Sequence, residues 1–208
     1  PNIPFGCDDT FATLDLVPGM HLQGALDRVT AGGTIRFAAG TYSVQEPLDP
    51  KGKAVTIRGA TDTSGVPTTI LDGGGSTSTT AFSRVLQCVS GEGADTVFEN
   101  LVVQNGSATE GGGMYNDASS PTLINCMFMG NRGFAGGGIY SIQSNPTLID
   151  CTFQHNSSSG GGGIFIEGGS PTLTRCLFSA NSSELNGDQA DYGNGGAVTI
   201  IGATPTLT

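Results

Sequence analysis

The sequence predicts an all-β fold: a right-handed single-stranded parallel β-helix of about 25 residues per coil, with a short N-terminal capping helix. Three observations predict it. Glycine supplies 34 of 208 residues, roughly double ordinary usage. Charged residues make up only 12%. Above all, a set of motifs returns at a fixed step. A glycine-rich chain of this kind buries enough surface to fold only if it is strictly periodic.

Three segments align without gaps. Gly111-Gly112-Gly113-Met114-Tyr115 returns as Gly136-Gly137-Gly138-Ile139-Tyr140 and as Gly161-Gly162-Gly163-Ile164-Phe165, each step being 25 residues. Pro121-Thr122-Leu123 returns at Pro146 and Pro171. Three columns follow: Cys126, Cys151 and Cys176; Phe128, Phe153 and Phe178; Asn131, Asn156 and Asn181. A fourth copy, Gly195-Gly196-Ala197-Val198-Thr199 with Pro205-Thr206-Leu207, is displaced by nine residues, an insertion placed between Glu184 and Asn194.

Upstream the register persists as the motif decays. Thr96 to Leu101 precede Pro121 to Cys126 by one period, and the same count puts Val89 at the Met114 position. Thr34 to Phe37, Val55 to Arg58 and Thr69 to Asp72 are short β-type runs separated by glycines. The segment His21 to Val29 differs. Leu22, Ala25, Leu26 and Val29 share one helical face, and Gly32-Gly33 ends it, so a capping helix is expected near residues 21–29. Residues 1–32 are read as the cap segment and 33–208 as the β-helix, its C-terminal coil incomplete.

The apolar spacing says how a coil bends. Leu123 and Cys126, three apart, both face inward only if the chain turns between them, whereas Cys126 and Phe128 share a strand face. Three short strands then make a flattened triangular coil. Stacked at about 4.8 Å, some six or seven coils give a rod of roughly 30 Å. Stacking turns each sequence column into a ladder. The Cys and Phe columns become interior ladders, and the Asn column is expected in turns, in left-handed backbone, with amides bonding along the stack.

The Phe-x-x-Asn motifs, ending at Asn131, Asn156 and Asn181, alternate with Gly-Gly-Gly-Ile and Gly-Gly-Ala-Val. In this the chain resembles the polymorphic outer-membrane proteins and, equally, secreted bacterial proteins with pectate-lyase-like repeats. The match is strong over residues 111–207 and weaker back to Gln23. The resemblance implies a secreted or cell-surface location and leaves function open, because this fold carries adhesins, lyases, hydrolases and inert stalks.

Net charge is −10 and the sequence pI about 4.3, which excludes nucleic acid and anionic membrane surfaces as partners. No apolar run approaches the roughly 18 residues of a membrane span, so no membrane insertion is expected. The chain begins at Pro1, read as a processed or trimmed end. Five cysteines cannot all pair internally. Parallel stacking suits a disulfide poorly, so the three ladder thiols are expected free and buried, while Cys7 and Cys88 are open to pairing with each other.

Candidate sites are few. Tyr115, Tyr140 and Phe165 form an outward aromatic column, either a ligand platform for sugar rings or a protein partner, or a stack closed beneath a neighbouring loop. In the insertion, Glu184, Asn186, Asp188 and Asp191 supply oxygen ligands of the kind calcium takes, the one cofactor the sequence suggests; the bland reading is a solvated acidic loop. Asn125, Asp150 and Arg175 form an outward column read as a surface ion pair. No catalytic constellation is visible. The preferred function is therefore an extracellular structural or adhesive module of a larger or self-assembling protein. Alternatives are a polysaccharide-binding or polysaccharide-degrading β-helix, and a head-to-tail filament subunit. Partners are the rest of a longer chain, or copies of the chain, through the uncapped C-terminal end, with carbohydrate as the ligand class.

Overall fold

A computed structural model describes residues 10–75, 83–183 and 195–208. These wind into a right-handed parallel β-helix with a single short helix among them, the architecture that the 25-residue step requires. Three parallel sheets of eight, six and five strands form its sides. One full coil shows the plan. Met114–Asp117 lies on the five-stranded side, Thr122–Ile124 on the eight-stranded side and Met127–Met129 on the six-stranded side. Each strand pairs with its counterpart 25 residues on: Leu123 with Leu148, Phe128 with Phe153, Ile139 with Ile164.

The core is a set of columns. Ile35, Ile57, Phe98, Leu123, Leu148 and Leu173 run up the eight-stranded side in register, all at 3% exposure or less. Tyr42, Leu71, Val103, Phe128 and Phe153 do the same on the six-stranded side. Phe128, Phe153 and Phe178 stack with centroids 5.1 and 4.9 Å apart and rings nearly parallel. Such an offset stack adds about 0.5–1.5 kcal/mol per pair to the burial itself.

The third glycine of each triplet makes that stack feasible. A Cβ on Gly113 would lie 2.6 Å from the Gly138 carbonyl oxygen and 2.8 Å from a ring carbon of Phe128. The backbone must pass that close to the ring, so no larger residue fits.

Asn131, Asn156 and Asn181 form a polar ladder, the first two fully buried and Asn181 half-buried. The Nδ2 of Asn131 donates to Oδ1 of Asn156 at 3.0 Å, and that of Asn156 to Asn181 at 2.9 Å. Each also donates to a carbonyl of the preceding coil, Val103 and Phe128 respectively. Each acceptor oxygen takes a backbone N–H too, Asn131 N reaching Asn156 Oδ1 at 3.0 Å. The expectation of left-handed backbone at these asparagines is corrected. Positive φ falls one residue earlier, at Gly130, His155 and Ala180, and at the other bend, at Asn100, Asn125, Asp150 and Arg175. The reason is geometric: a ladder side chain must aim inward, so the bend is taken by the residue before it.

Cys126, Cys151 and Cys176 stand in the column that Leu101 occupies one coil earlier, each thiol donating weakly to a carbonyl of the preceding coil at 3.4 to 3.7 Å. All three are free, as is the buried Cys88. The Cys151 and Cys176 thiols are pushed well up by their sulfur neighbours and by burial, and Cys88 by burial first, so all three stay protonated. Cys7 lies outside the described residues.

Upstream, two readings need correction. Leu86, not Val89, pairs with Met114, and Val89 is exposed. Cys88 and Val97 are separated by a longer turn than later coils have, and Glu92 occupies it. The solenoid also starts before residue 33. Phe11–Leu16 already pairs in parallel with Val29–Phe37, a strand that crosses the proposed boundary, because its own alternation buries Leu14 and Leu16.

The helix spans Leu22–Arg28, with His21 as its N-cap and Leu22, Ala25 and Leu26 buried. Seven residues are too few for a stable helix alone. Contacts to the first coils hold it. Gln23 and Asp49 exchange two hydrogen bonds of 2.9 Å, and Lys53 Nζ donates to the Leu26 and Val29 carbonyls at the helix C-terminus.

Candidate ligand-binding face

On the five-stranded side the strands Met114–Asp117, Ile139–Ile142 and Ile164–Glu167 alternate. Met114, Ile139 and Ile164 point into the core. Tyr115, Tyr140 and Phe165 form the opposite column. Their rings stack at 5.7 and 5.3 Å with interplanar angles of 2° and 18°. Tyr140 is 6% exposed and Phe165 2%, while Tyr115 is half-buried. The segments around Glu110, Ala135 and Gly160, bridged to one another in parallel, run alongside. The rings thus give their faces to one another. At the first ring the remaining face is covered by Arg84, whose guanidinium carbon sits 4.6 Å from the Tyr115 centroid. Arg84 is held there by the Glu110 and Gly111 carbonyls, at 2.8 and 3.3 Å, and burial lowers its pKa.

Beside this stack lies a cavity of about 110 Å³, lined by Tyr140, Phe165, Phe134, Glu110, Glu167 and Ser159, among others. Tyr140 donates its hydroxyl to Glu167 Oε2 at 2.6 Å. Burial raises the phenol pKa, and so do the hydrogen bond to Glu167 and the negative charges of Glu167 and Glu110. Among the described residues, neither glutamate has a Lys or Arg within ion-pair distance.

A second cleft, of about 390 Å³, separates the helix N-terminus from the strand Gly40–Ser43. Its ionisable pair is His21 Nε2 and Glu46, 3.6 Å apart and largely exposed. His21 Nδ1 already accepts the Gly24 N–H as a helix cap, which leaves that ring nitrogen no proton-transfer role.

The remaining candidates fall apart from this face. Arg175 grips Asp150 through two exposed hydrogen bonds of 2.7 and 2.8 Å at the bend after the eight-stranded side, while Asn125 donates to Asn100 and to the Gly65 carbonyl. Glu184, Asn186, Asp188 and Asp191, with the calcium reading attached to them, lie outside the described residues. Among the described residues no group of three or more His, Cys, Asp and Glu side chains could hold a metal ion.

Two kinds of residue escaped the sequence reading. Glu110, Phe134 and Glu167 meet only because the loops close over the strands. Glu167 had a readable signal, since it stands in the same column as Asp117, two coils on, with Ile142 between them. Glu92 is a buried structural carboxylate. It accepts from the N–H groups of Gly52 and Ser90 and from the Ser119 hydroxyl, at 2.7 to 2.9 Å. Burial alone would raise its pKa, but these donors outweigh burial and hold it below the usual value.

Comparison with known proteins adds the family. Residues 55–204 match the model of the right handed beta helix region. No curated protein and no solved structure matches the chain. The matched stretch covers well over half of the sequence and coincides with the stacked columns, and the chain belongs to the right-handed β-helix family.

Proposed function

We propose that the chain is an extracellular structural and adhesive module, a stiff rod that presents side chains along its flanks. The supporting observation is the use made of its polar and aromatic groups. The asparagines bond along their own ladder, the phenylalanines stack on each other, and the Cys151 thiol is buried and held protonated. Groups engaged this way stiffen the rod and are not free to react.

Beads coated with the purified chain should be retained on surfaces of intact cells or extracellular matrix, and beads coated with heat-denatured chain should not. Equal retention of both would remove the adhesive part. Turnover of acidic or neutral polysaccharides by the purified chain, with or without calcium, would replace the structural reading with an enzymatic one.

A further inference from the structure

The first coil of the rod is covered from below on two of its three sides and left open on the third. On the eight-stranded side Phe11–Leu16 extends the sheet beneath Val29–Phe37. On the five-stranded side, where Leu48 bridges to Leu86, the helix Leu22–Arg28 is fastened to the coil by Asp49 and Lys53. On the six-stranded side Gly40–Ser43 is the terminal strand. Residues 17–20, which cross here, form a turn instead of a strand, Met20 N donating to the Val17 carbonyl at 3.3 Å. Pro18 abuts the strand at Gly40, where an added Cβ would come within 2.8 Å of the proline ring. Beyond that point the two segments part, and the cleft of about 390 Å³ opens between residues 19–23 and 41–46. Its volume lies in the range of roughly 300–1,000 Å³ typical of ligand sites. The open edge can be assigned residue by residue. Gly40 N donates to Thr68 O at 3.0 Å and Val44 N to Asp72 O at 2.8 Å, so residues 40, 42 and 44 face the pairing strand Thr69–Asp72. In a parallel ladder the alternate residues, Thr41 and Ser43, then direct N–H and C=O to the opposite edge. Both are exposed, and among the described residues nothing bonds to those backbone groups.

We propose that this cleft takes an extended peptide segment of a protein partner, added as a further strand along Thr41 and Ser43 where the coil beneath lacks one. The ligand class follows from the edge. Its donors and acceptors repeat every second residue, about 6.7 Å, and an extended polypeptide backbone offers the same repeat in complement. A sugar ring or a small ion does not. Main-chain bonds supply the affinity in such additions, and side-chain contacts the selection. The lining is mixed, Met20 and Leu22 being apolar and Ser43, Gln45 and Glu46 polar, which favours a segment that alternates apolar and polar residues. The site lies at the N-terminal end of the rod, away from its flanks, so it neither needs nor tests the adhesive reading.

The test titrates the purified 208-residue chain with an end-blocked hexapeptide of alternating valine and threonine, and reads amide exchange and chemical shifts. The control is the same peptide N-methylated throughout, which keeps the side chains and removes the donors. In the free chain the Thr41 and Ser43 amides should exchange about a hundredfold faster than those of Tyr42 and Val44. The peptide should bind saturably below about 1 mM and slow the Thr41 and Ser43 exchange about tenfold or more. Chemical shifts should change over residues 41–46, and the methylated control should produce neither effect. Ser43→Pro removes an outward donor that the sheet does not use. It should leave the denaturation midpoint near that of the parent chain and weaken the peptide about tenfold. Asp150→Asn, far along the rod, should change nothing. The proposal is overturned if no saturable binding is seen at millimolar peptide, if the methylated peptide binds equally, or if folded Ser43→Pro binds like the parent chain. It is overturned as well if the Thr41 and Ser43 amides are already protected in the free chain. Protection that grows with protein concentration would then assign the edge to a second copy, and protection independent of concentration to the chain itself.

Discussion

The coils from residue 97 to 183 and the described coils upstream of residue 97 use the same winding but are held together differently. In the later coils one side chain serves two neighbours: Asn156 accepts from the preceding coil and donates to the next, and Phe153 stacks on both sides. In the earlier coils the contacts are particular to one place. Gln23 clasps Asp49, Lys53 caps the helix, Glu92 gathers N–H groups from two coils, and Arg36 and Arg58 pair with Asp15 and Glu99. Repetition therefore makes stability a sum of nearest-neighbour terms in the later coils, and a collection of single fastenings in the earlier ones. Damage should spread along a ladder and stay local at a fastening.

Four substitutions test this contrast, beginning with the one expected to cost most. Phe153→Ala removes the middle ring of the inner stack at full burial, and urea denaturation should show a loss of about 4 kcal/mol. Asn156→Ala strands the amides that its side chain satisfies on both sides and should cost about 3 kcal/mol. Native-state hydrogen exchange of Asn156→Ala should speed up in the coils before and after; protection lost only at residue 156 would contradict the ladder account. Glu92→Gln keeps an acceptor but turns donors toward N–H groups, for about 2 kcal/mol, with faster exchange confined to the neighbourhood of Gly52, Ser90 and Ser119. Asp150→Asn breaks an exposed pair and should leave the denaturation midpoint unchanged within error.

The pH dependence sharpens the Glu92 comparison. Its folded pKa lies below the ordinary value, so its contribution is complete above the unfolded carboxyl pKa of about 4.3 and fades as pH falls through the lower folded value. Stability measured from about pH 7 down to about pH 3 should therefore drop less steeply at the acid end in Glu92→Gln than in the parent chain. Identical acid limbs would show that Glu92 does not govern that loss.

Most of the later half was legible in the sequence because repetition and stacking are the same fact seen twice. Residues one period apart touch, so the columns at Leu123, Phe128, Ile139 and Asn131 could be read directly, and the helix followed from one apolar face. The misreadings occur where the period is interrupted. Counting 25 back from Met114 gave Val89, yet the longer turn that houses Glu92 moves the pairing to Leu86. The left-handed positions were misplaced by one residue, since a turn residue and an inward ladder residue look alike in sequence. Of this candidate face, the column Tyr115, Tyr140 and Phe165 was visible, whereas the cavity beside it was not.

By itself the sequence determined the winding, its period and the contents of the inner columns, because in-register parallel pairing is dictated by short-range alternation repeated at a constant step. The tertiary structure alone decided which outward groups meet. Glu110, Phe134 and Glu167 lie on different coils and different segments, and their convergence depends on how far each loop folds back over the strands. That closure is set by packing between coils, which no single period of the sequence encodes.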